Sequence, residues 1–122
     1  MNTVKIAALQ IRTELEQDAT LEKAGRMVRE AAQNGAQIAV LPEMFNCPYS
    51  RRYFRPIAHL GHEKTVTAMS RWARDNSVLI VGGSIPETDG ENIYNTCFVF
   101  DEQGRQLARH RKVHLFDVDI PG

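Results

Sequence analysis

The apolar residues of this chain follow two patterns. Short, mainly apolar runs, which are typical of buried strands, occur at residues 4–11, where Lys5 and Gln10 interrupt the run, and at residues 38–41, 78–81 and 93–100. Apolar residues at helical spacing predict one helix through Leu21 and Val28 and a second helix over His62–Asp75. Asp18 or Thr20 is expected to cap the first helix, and Asn34-Gly35 is expected to end it.

Turn residues complete this outline. Asp101-Glu102-Gln103-Gly104 predicts a hairpin turn, from which Gln106–His114 would return as a strand. Asn46–Gly61 shows little periodicity and contains prolines and arginines, so it is predicted to be a long functional loop. The resulting order, β-α-β-α-β-β-β, predicts an α/β fold with a mixed sheet. Two helices cannot cover both faces of that sheet, and Leu115, Phe116 and Ile120 would stay uncovered at the end of the chain.

Composition narrows the possible functions. The chain has 122 residues, of which 43% are hydrophobic and 25% charged, as in one ordinary globular domain. Its formal net charge of zero gives no broad attraction for nucleic acid or anionic membranes, so neither is expected as a partner. No apolar run approaches the roughly 20 residues of a membrane helix, and no signal-peptide pattern is seen. Two cysteines without motif spacing fit a reducing compartment, which predicts a cytoplasmic location.

Glu43 is the first candidate for chemistry. The strand Gln37–Leu41 runs into Pro42, which cannot donate to a sheet ladder, so the strand is expected to end there. Glu43 would then lie at the carboxyl end of the strand, which is where α/β sheets place ligands and reactive groups. The aromatic, turn-rich residues 44–49 that follow resemble the wall of a pocket. The alternative is a solvated loop acid, which is the common state of such residues.

Lys112 is the second candidate. Strand alternation puts Ala108, His110, Lys112 and His114 on one side, where an inward ammonium would need a carboxylate or an oxyanion as partner. A solvated basic strand end remains the alternative.

Histidines and cysteines give weaker signals. The pairs His110/His114 and His59/His62 each lack an evident third ligand, so metal binding is not expected at either. Cys97 is predicted to be a buried, inert thiol, and Cys47 has no feature that would lower its pKa. Gly82-Gly83-Ser84 lacks the spacing of a phosphate-binding loop and predicts a tight turn.

Four short segments together resemble the nitrilase, or carbon–nitrogen hydrolase, superfamily. They are Leu41-Pro42-Glu43, Gly82-Gly83-Ser84-Ile85-Pro86-Glu87, Tyr94-Asn95-Thr96 and Arg111-Lys112-Val113-His114-Leu115-Phe116-Asp117. Within this superfamily, residues 45–49 and 114–122 resemble the omega-amidase branch. The resemblance extends from Val4 to Gly122, and the order and spacing of the segments make it specific.

The resemblance implies an α-β-β-α sandwich that dimerises through helices and uses a Glu-Lys-Cys triad without metal or cofactor. Glu43 matches the general base of that triad, and Lys112 matches the lysine that stabilises the tetrahedral intermediate. The residue types suit these roles, since a carboxylate can take a proton from a thiol or a water and an ammonium can stabilise an oxyanion.

The sequence departs from the family pattern because the family's nucleophilic cysteine lies beyond the last residue of this chain, and neither Cys47 nor Cys97 takes its position. Residues 1–122 are therefore expected to be the N-terminal part of one carbon–nitrogen hydrolase domain. The expected substrates are ω-monoamides of dicarboxylates, such as 2-oxoglutaramate, with Tyr49, and less surely Arg51 or Arg52, as candidate partners of the substrate carboxylate. The alternatives are another amidase or nitrilase of the superfamily, such as a deaminated-glutathione amidase, and a catalytically dead truncated product.

Overall fold

The structure is a computed structural model that describes residues 2–115 of the chain. Within this range, two helices pack on a six-stranded mixed sheet. The strands are β1 (Ile6–Ala8), β2 (Ile38–Val40), β3 (Leu79–Val81), β4 (Ile85–Thr88), β5 (Ile93–Phe100) and β6 (Gln106–Arg111). The helices are α1 (Gln17–Gln33) and α2 (Arg51–Asn76). The predicted α/β class with a mixed sheet is confirmed.

The sheet combines a parallel and an antiparallel part. Strands β1, β2 and β3 pair in parallel, and β5 pairs antiparallel with β3, β4 and β6. The register aligns Ala39, Ile80 and Phe100 across three strands, and all three are buried in the core beneath the helices. Ile6 points to the opposite face and is 59% exposed. The prediction that one sheet face lacks cover is therefore confirmed for residues 2–115.

The second helix begins much earlier than predicted. Residues 51–61 form the first turns of α2 rather than a loop, and Pro56 lies inside the helix. The buried positions of this part are Ala58 and Gly61, which continue at helical spacing into Thr65 of the predicted helix, and all three are small or polar. Apolar periodicity cannot detect such a stripe, because its residues carry little hydrophobic signal.

Other element boundaries also differ from the predictions. Strand β1 is shorter than predicted, and β4 was not predicted at all. Neither Asp18 nor Thr20 caps α1, which follows Glu16 without a side-chain cap; the Thr20 hydroxyl instead accepts a hydrogen bond from the Glu14 amide at 2.8 Å. The predicted end of α1 is confirmed, with Asn34 as C-cap and Gly35 at φ +87°.

The hairpin between β5 and β6 is confirmed at the predicted turn. Gly104 adopts φ +81° there, and its amide donates to the Asp101 carbonyl at 2.9 Å. Leu115 is 61% exposed, as expected from the lack of a covering element in the described range. The predictions for Phe116 and Ile120 concern positions outside the described residues.

Candidate active site

Glu43 lies on a tightly held bend that follows β2. Met44, the next residue, adopts φ +51°, a left-handed conformation that is uncommon for residues other than glycine. Buried Ser84 holds this bend: its hydroxyl accepts a hydrogen bond from the Met44 amide at 3.0 Å, and its carbonyl accepts one from the Phe45 amide at 3.3 Å. The predicted position of Glu43 at the carboxyl end of a buried strand is confirmed.

Gly83 makes room for this bend. Its φ is +55°, and a Cβ atom placed on it would lie 2.0 Å from the carbonyl oxygen of Pro42. A side chain at this position would therefore collide with backbone and would also strain the chain. The predicted tight turn at Gly82-Gly83-Ser84 is not observed, because β3 and β4 pair with the same edge of β5 in the same direction and residues 82–84 join them without reversing the chain. These residues instead brace the bend that carries Glu43.

Lys112 reaches Glu43 from the end of β6. The Lys112 amide donates to the Asn95 carbonyl at 2.8 Å, which continues the pairing with β5 beyond Arg111. The Lys112 ammonium lies 3.0 Å from Glu43 Oε1, and the two side chains are 37% and 51% exposed. Glu43 is thus the carboxylate partner that an inward-facing Lys112 ammonium was expected to need.

Asn95 adds a second donor to the same carboxylate oxygen. Its Nδ2 lies 2.9 Å from Glu43 Oε1, the oxygen that also accepts the Lys112 ammonium. A carboxylate can only accept, so this contact fixes which end of the Asn95 amide faces Glu43. Sequence reasoning missed this role; the available signal was the alternation that places Asn95 on the same side of β5 as Cys97.

The charge state of Glu43 follows from these contacts. The hydrogen bond from Lys112 lowers the pKa of the Glu43 carboxyl, and the bond from Asn95 and the charge of Lys112 act in the same direction. Partial burial opposes them but does not cancel them. Glu43 is consequently an anion at neutral pH, ready to accept a proton.

A cavity of about 360 Å³ opens beside this pair. Its lining residues come from the bend after β2, from the link between β3 and β4, from β5, and from β6 and the residue after it: Glu43, Gly83, Ser84, Asn95, Cys97, His110 and Lys112. A larger groove of about 1050 Å³ lies between the two helices, remote from this pair, and carries charged residues of both signs. We place the candidate site in the smaller cavity, because there a carboxylate and an ammonium face the same space.

Comparison with known protein families identifies the family of this chain. The carbon-nitrogen hydrolase family matches residues 5–122. The chain belongs to this family. It is 43% identical to the omega-amidase NIT2 of Mus musculus over all 122 residues, and 47% identical to NIT2-B of Xenopus laevis over 102 residues. These alignments cover 100% and 84% of the chain but only 44% and 37% of the relatives.

Solved structures give the same result for this carbon-nitrogen hydrolase chain. Nit3 of Saccharomyces cerevisiae, a member of the nitrilase superfamily, superposes with a TM-score of 0.84 at 34% identity. An amidase from Nesterenkonia sp. superposes with a TM-score of 0.85 at 25% identity. The superpositions cover 91% and 98% of this chain and 44% and 48% of those proteins, so the chain spans about half of their length.

Neither cysteine of this hydrolase chain has the environment of a reactive thiol. Cys47 is 1% exposed, and burial raises the pKa of its thiol to about 11. Cys97 lines the cavity and is half-buried, whereas the sequence predicted a fully buried thiol. Burial raises the pKa of the Cys97 thiol as well. A raised pKa keeps a thiol protonated and weakens it as a nucleophile.

The candidate substrate-binding residues lie on the segment that follows Glu43, outside the cavity lining. Tyr49 is 62% exposed, and its ring packs edge-on against Phe54 with 5.5 Å between centroids. Arg52 donates to the Tyr53 hydroxyl at 3.0 Å, while Arg51 is exposed at the start of α2. The structure therefore does not bring these side chains into contact with the Glu43–Lys112 pair.

The histidines do not assemble into a metal site within the described range. His110 lines the cavity, whereas His114 is exposed. His62 Nδ1 lies 2.7 Å from the Ala58 carbonyl, and His59 is exposed. Residues 2–115 contain no group of three or more histidine, cysteine, aspartate or glutamate side chains that could hold a metal ion. Neither helix of this part of the chain is long and apolar enough to cross a membrane.

Proposed function

We propose that this chain supplies the general base and the oxyanion-stabilising cation of an amidase that hydrolyses ω-monoamides of dicarboxylates, such as 2-oxoglutaramate. The observation that carries the proposal is the Glu43–Lys112 pair, held at 3.0 Å beside an open cavity. The nucleophile would be a cysteine outside this chain. Residues 1–122 would then be the N-terminal part of one hydrolase domain, consistent with relatives of more than twice its length.

Acylation would use both groups. Glu43 takes the proton of the cysteine thiol as the sulfur attacks the amide carbon, and the carbonyl oxygen becomes an oxyanion. Lys112 stabilises that negative charge, which develops only as the tetrahedral intermediate forms. The C–N bond then breaks, and the nitrogen leaves as ammonia with the proton that Glu43 returns.

Deacylation would reuse the same base. Glu43 takes a proton from water as the water oxygen attacks the thioester carbon, and Lys112 again stabilises the oxyanion. The C–S bond breaks, the thiolate recovers the proton, and the dicarboxylate is released. The lowered pKa of Glu43 keeps the base ionised before each proton transfer.

Similarity to curated relatives supports the omega-amidase class. Identity to omega-amidases from several vertebrates is 40–47%, whereas it is 34% to yeast Nit3. The monoamide substrate carries a carboxylate, which needs a cationic or hydrogen-bonding partner. Tyr49 stays our candidate, with Arg51 or Arg52 as alternatives, since these residues follow Glu43 closely in the sequence and carry a hydroxyl or a positive charge.

The proposal is tested with the full-length polypeptide that contains this chain. We expect ammonia release from 2-oxoglutaramate, and at least tenfold slower release from the corresponding diamide, which lacks the free carboxylate. Glu43→Gln should reduce kcat by about 100-fold or more, because the amide cannot accept the nucleophile's proton. Glu14→Gln, which alters a surface ion pair with Lys23, is the matched control and should retain activity. A folded polypeptide that hydrolyses neither substrate would overturn the proposal.

Assembly and location are further parts of the proposal. We infer that the whole protein is a homo-oligomer, as the family resemblance implies, and that it is cytoplasmic. Both cysteines of the chain are free thiols, which is consistent with a reducing compartment. Size-exclusion chromatography with light scattering measures the oligomeric state, and a strictly monomeric active enzyme would contradict this part.

A further inference from the structure

The base of the candidate site is held through one of its two oxygens. Glu43 Oε1 accepts the Lys112 ammonium at 3.0 Å and the Asn95 amide at 2.9 Å. Within residues 2–115 the structure shows no hydrogen bond to Oε2. Two donors arriving from two different strands restrict rotation of the carboxylate more than either donor alone.

We propose that Asn95 is a positioning residue that, together with Lys112, fixes Glu43 so that Oε2 is the atom that accepts the proton. This inference rests on the proposed amidase function. Asn95 would not touch the substrate; it would act through the carboxylate that it orients. General base catalysis depends on such orientation, since the accepting oxygen must come within hydrogen-bond distance of the proton.

The backbone of Asn95 strengthens the same arrangement. Its carbonyl accepts the Lys112 amide at 2.8 Å, so one residue aligns the cation through its main chain and the base through its side chain. Its neighbours on β5 anchor it, because Thr96 is fully buried and pairs with Ile85 of β4 and with Arg111 of β6. Glu43 and Lys112 are therefore both held by the same residue, Asn95.

The other end of the Asn95 amide argues that the contact with Glu43 is specific. Asn95 Oδ1 is buried and has no hydrogen-bond partner among the described residues. An unpaired buried acceptor costs on the order of 1–3 kcal/mol, and turning the amide over would place oxygen against oxygen at Glu43. In the observed orientation the Asn95 Oδ1 stays unpaired among the described residues, while Nδ2 donates to the Glu43 carboxylate.

Without Asn95, the carboxylate would be held by Lys112 alone. The Glu43 side chain is 51% exposed, and an ammonium on a flexible stem can pair with either oxygen. Pairing through both oxygens would engage the lone pairs that the base needs. Asn95 prevents this by holding Oε1 on the β5 side of the cavity.

The test measures the pKa of Glu43 and the kinetics in the same full-length polypeptide. The other titratable groups that line the cavity within the described residues are His110 of β6, Lys112 just after β6, and Cys97 of β5. Asn95→Ala removes a hydrogen bond to the ionised carboxyl and should raise the Glu43 pKa, observed by carbon-detected NMR titration. We expect kcat to fall about tenfold or more, the effect of one hydrogen bond to a charged group, while KM changes less than about threefold.

Asn95→Asp keeps the shape of the side chain and guards against a folding defect in the alanine variant. It places a second carboxylate beside Glu43, so the pKa of Glu43 should rise further and the acidic limb of the kcat profile should move to higher pH. Asn34→Ala is the matched control: it removes one asparagine hydrogen bond, 2.9 Å to the Glu30 carbonyl, far from the cavity. It should leave both the Glu43 pKa and kcat unchanged.

The outcomes separate this inference from the proposed function. An unchanged Glu43 pKa in both Asn95 variants would overturn the positioning role, whatever the activity. A change confined to KM would also overturn it and make Asn95 a substrate-binding residue. If the folded wild-type polypeptide hydrolyses no amide, the proposed function fails, while the titration still decides whether Asn95 holds Glu43.

Discussion

The side chain of Arg111 extends to the buried carboxylate of Glu87, with 2.7 Å between Nε and Oε1. Glu87 is 2% exposed and lies on β4, whereas Arg111 ends β6, and both strands pair with β5 on opposite sides. Arg111 also stacks on Tyr94, with its guanidinium carbon 3.9 Å from the ring centroid. Adjacent strand residues point to opposite faces, so anchoring Arg111 on the helix side directs Lys112 to the cavity side.

Glu87→Gln should therefore weaken both stability and site geometry. The variant keeps the size of the side chain but leaves Arg111 without its charged partner, which should cost about 1–3 kcal/mol, less than for a fully buried pair because Arg111 is partly exposed. Urea unfolding measures the change in the free energy of unfolding. Glu91→Gln, at an exposed turn position, is the control and should change it by less than about 0.5 kcal/mol. Equal effects of the two variants would contradict the anchoring role.

Lys112→Met, in the full-length polypeptide, should impair the chemical step more than substrate binding. In the proposed mechanism the removed charge acts mainly on the oxyanion of the transition state, where one such donor contributes about 3 kcal/mol, or roughly 100-fold in kcat. Separate measurement of kcat and KM provides the check. A change in KM alone would instead assign Lys112 to substrate binding.

The same variant changes the pH dependence of the site. The Lys112 hydrogen bond is the largest cause of the lowered Glu43 pKa, so Lys112→Met should raise that pKa. Because the folded-state pKa is lowered, the pairing stabilises the fold above the ordinary glutamate pKa. This stabilisation is lost as the pH falls through the lowered value. Glu43 titration by NMR in both proteins tests the direction, and a lower pKa in the variant would refute it.

Comparing Gly83→Ala with Gly90→Ala separates the effect of steric collision at the Glu43 bend from the effect of backbone strain. Both glycines have positive φ, but a Cβ on Gly90 meets nothing within 4 Å, whereas on Gly83 it meets Pro42 and Leu41 carbonyl oxygens. Gly90→Ala should cost about 1–2 kcal/mol of backbone strain. Gly83→Ala should cost more than about 4 kcal/mol or prevent folding, measured by thermal and urea denaturation. Similar stability of the two variants would show that the bend can shift.

Much of this arrangement could be predicted from the sequence, because strand alternation and a proline stop are local signals. They placed Glu43 at the end of β2 and set Lys112 and His110 on one side of β6. The start of α2 could not be predicted, since its buried stripe consists of Ala58, Gly61 and Thr65. The contact of Asn95 with Glu43 could not be predicted, because it joins the bend after β2 to a strand 52 residues further along the chain, and no local pattern specifies such a contact.

The isolated 122-residue chain is expected to be inactive and prone to association. It holds the proposed base and cation, whereas burial raises the pKa of both its thiols, so we expect no acyl-enzyme to form. Exposed apolar side chains at Ile6, Leu107 and Val113 favour self-association. Size-exclusion chromatography and an ammonia-release assay test both parts. A stable monomer whose amidase activity is lost in Cys47→Ser, but kept in Cys97→Ser, would move the nucleophile to Cys47.

Strand β6, which positions Lys112, is expected to have a lower local stability than the core of the sheet. Within the described residues it pairs only with β5, and five of its six residues are exposed, so its local opening should need far less free energy than global unfolding. Each opening event would carry Lys112 away from Glu43, which lies 69 positions earlier in the chain. The core would stay folded during such an event. Amide hydrogen exchange along β6 would then report how often the charged pair comes apart. Any molecule or segment that pairs with the outer edge of β6 would hold the pair together for longer.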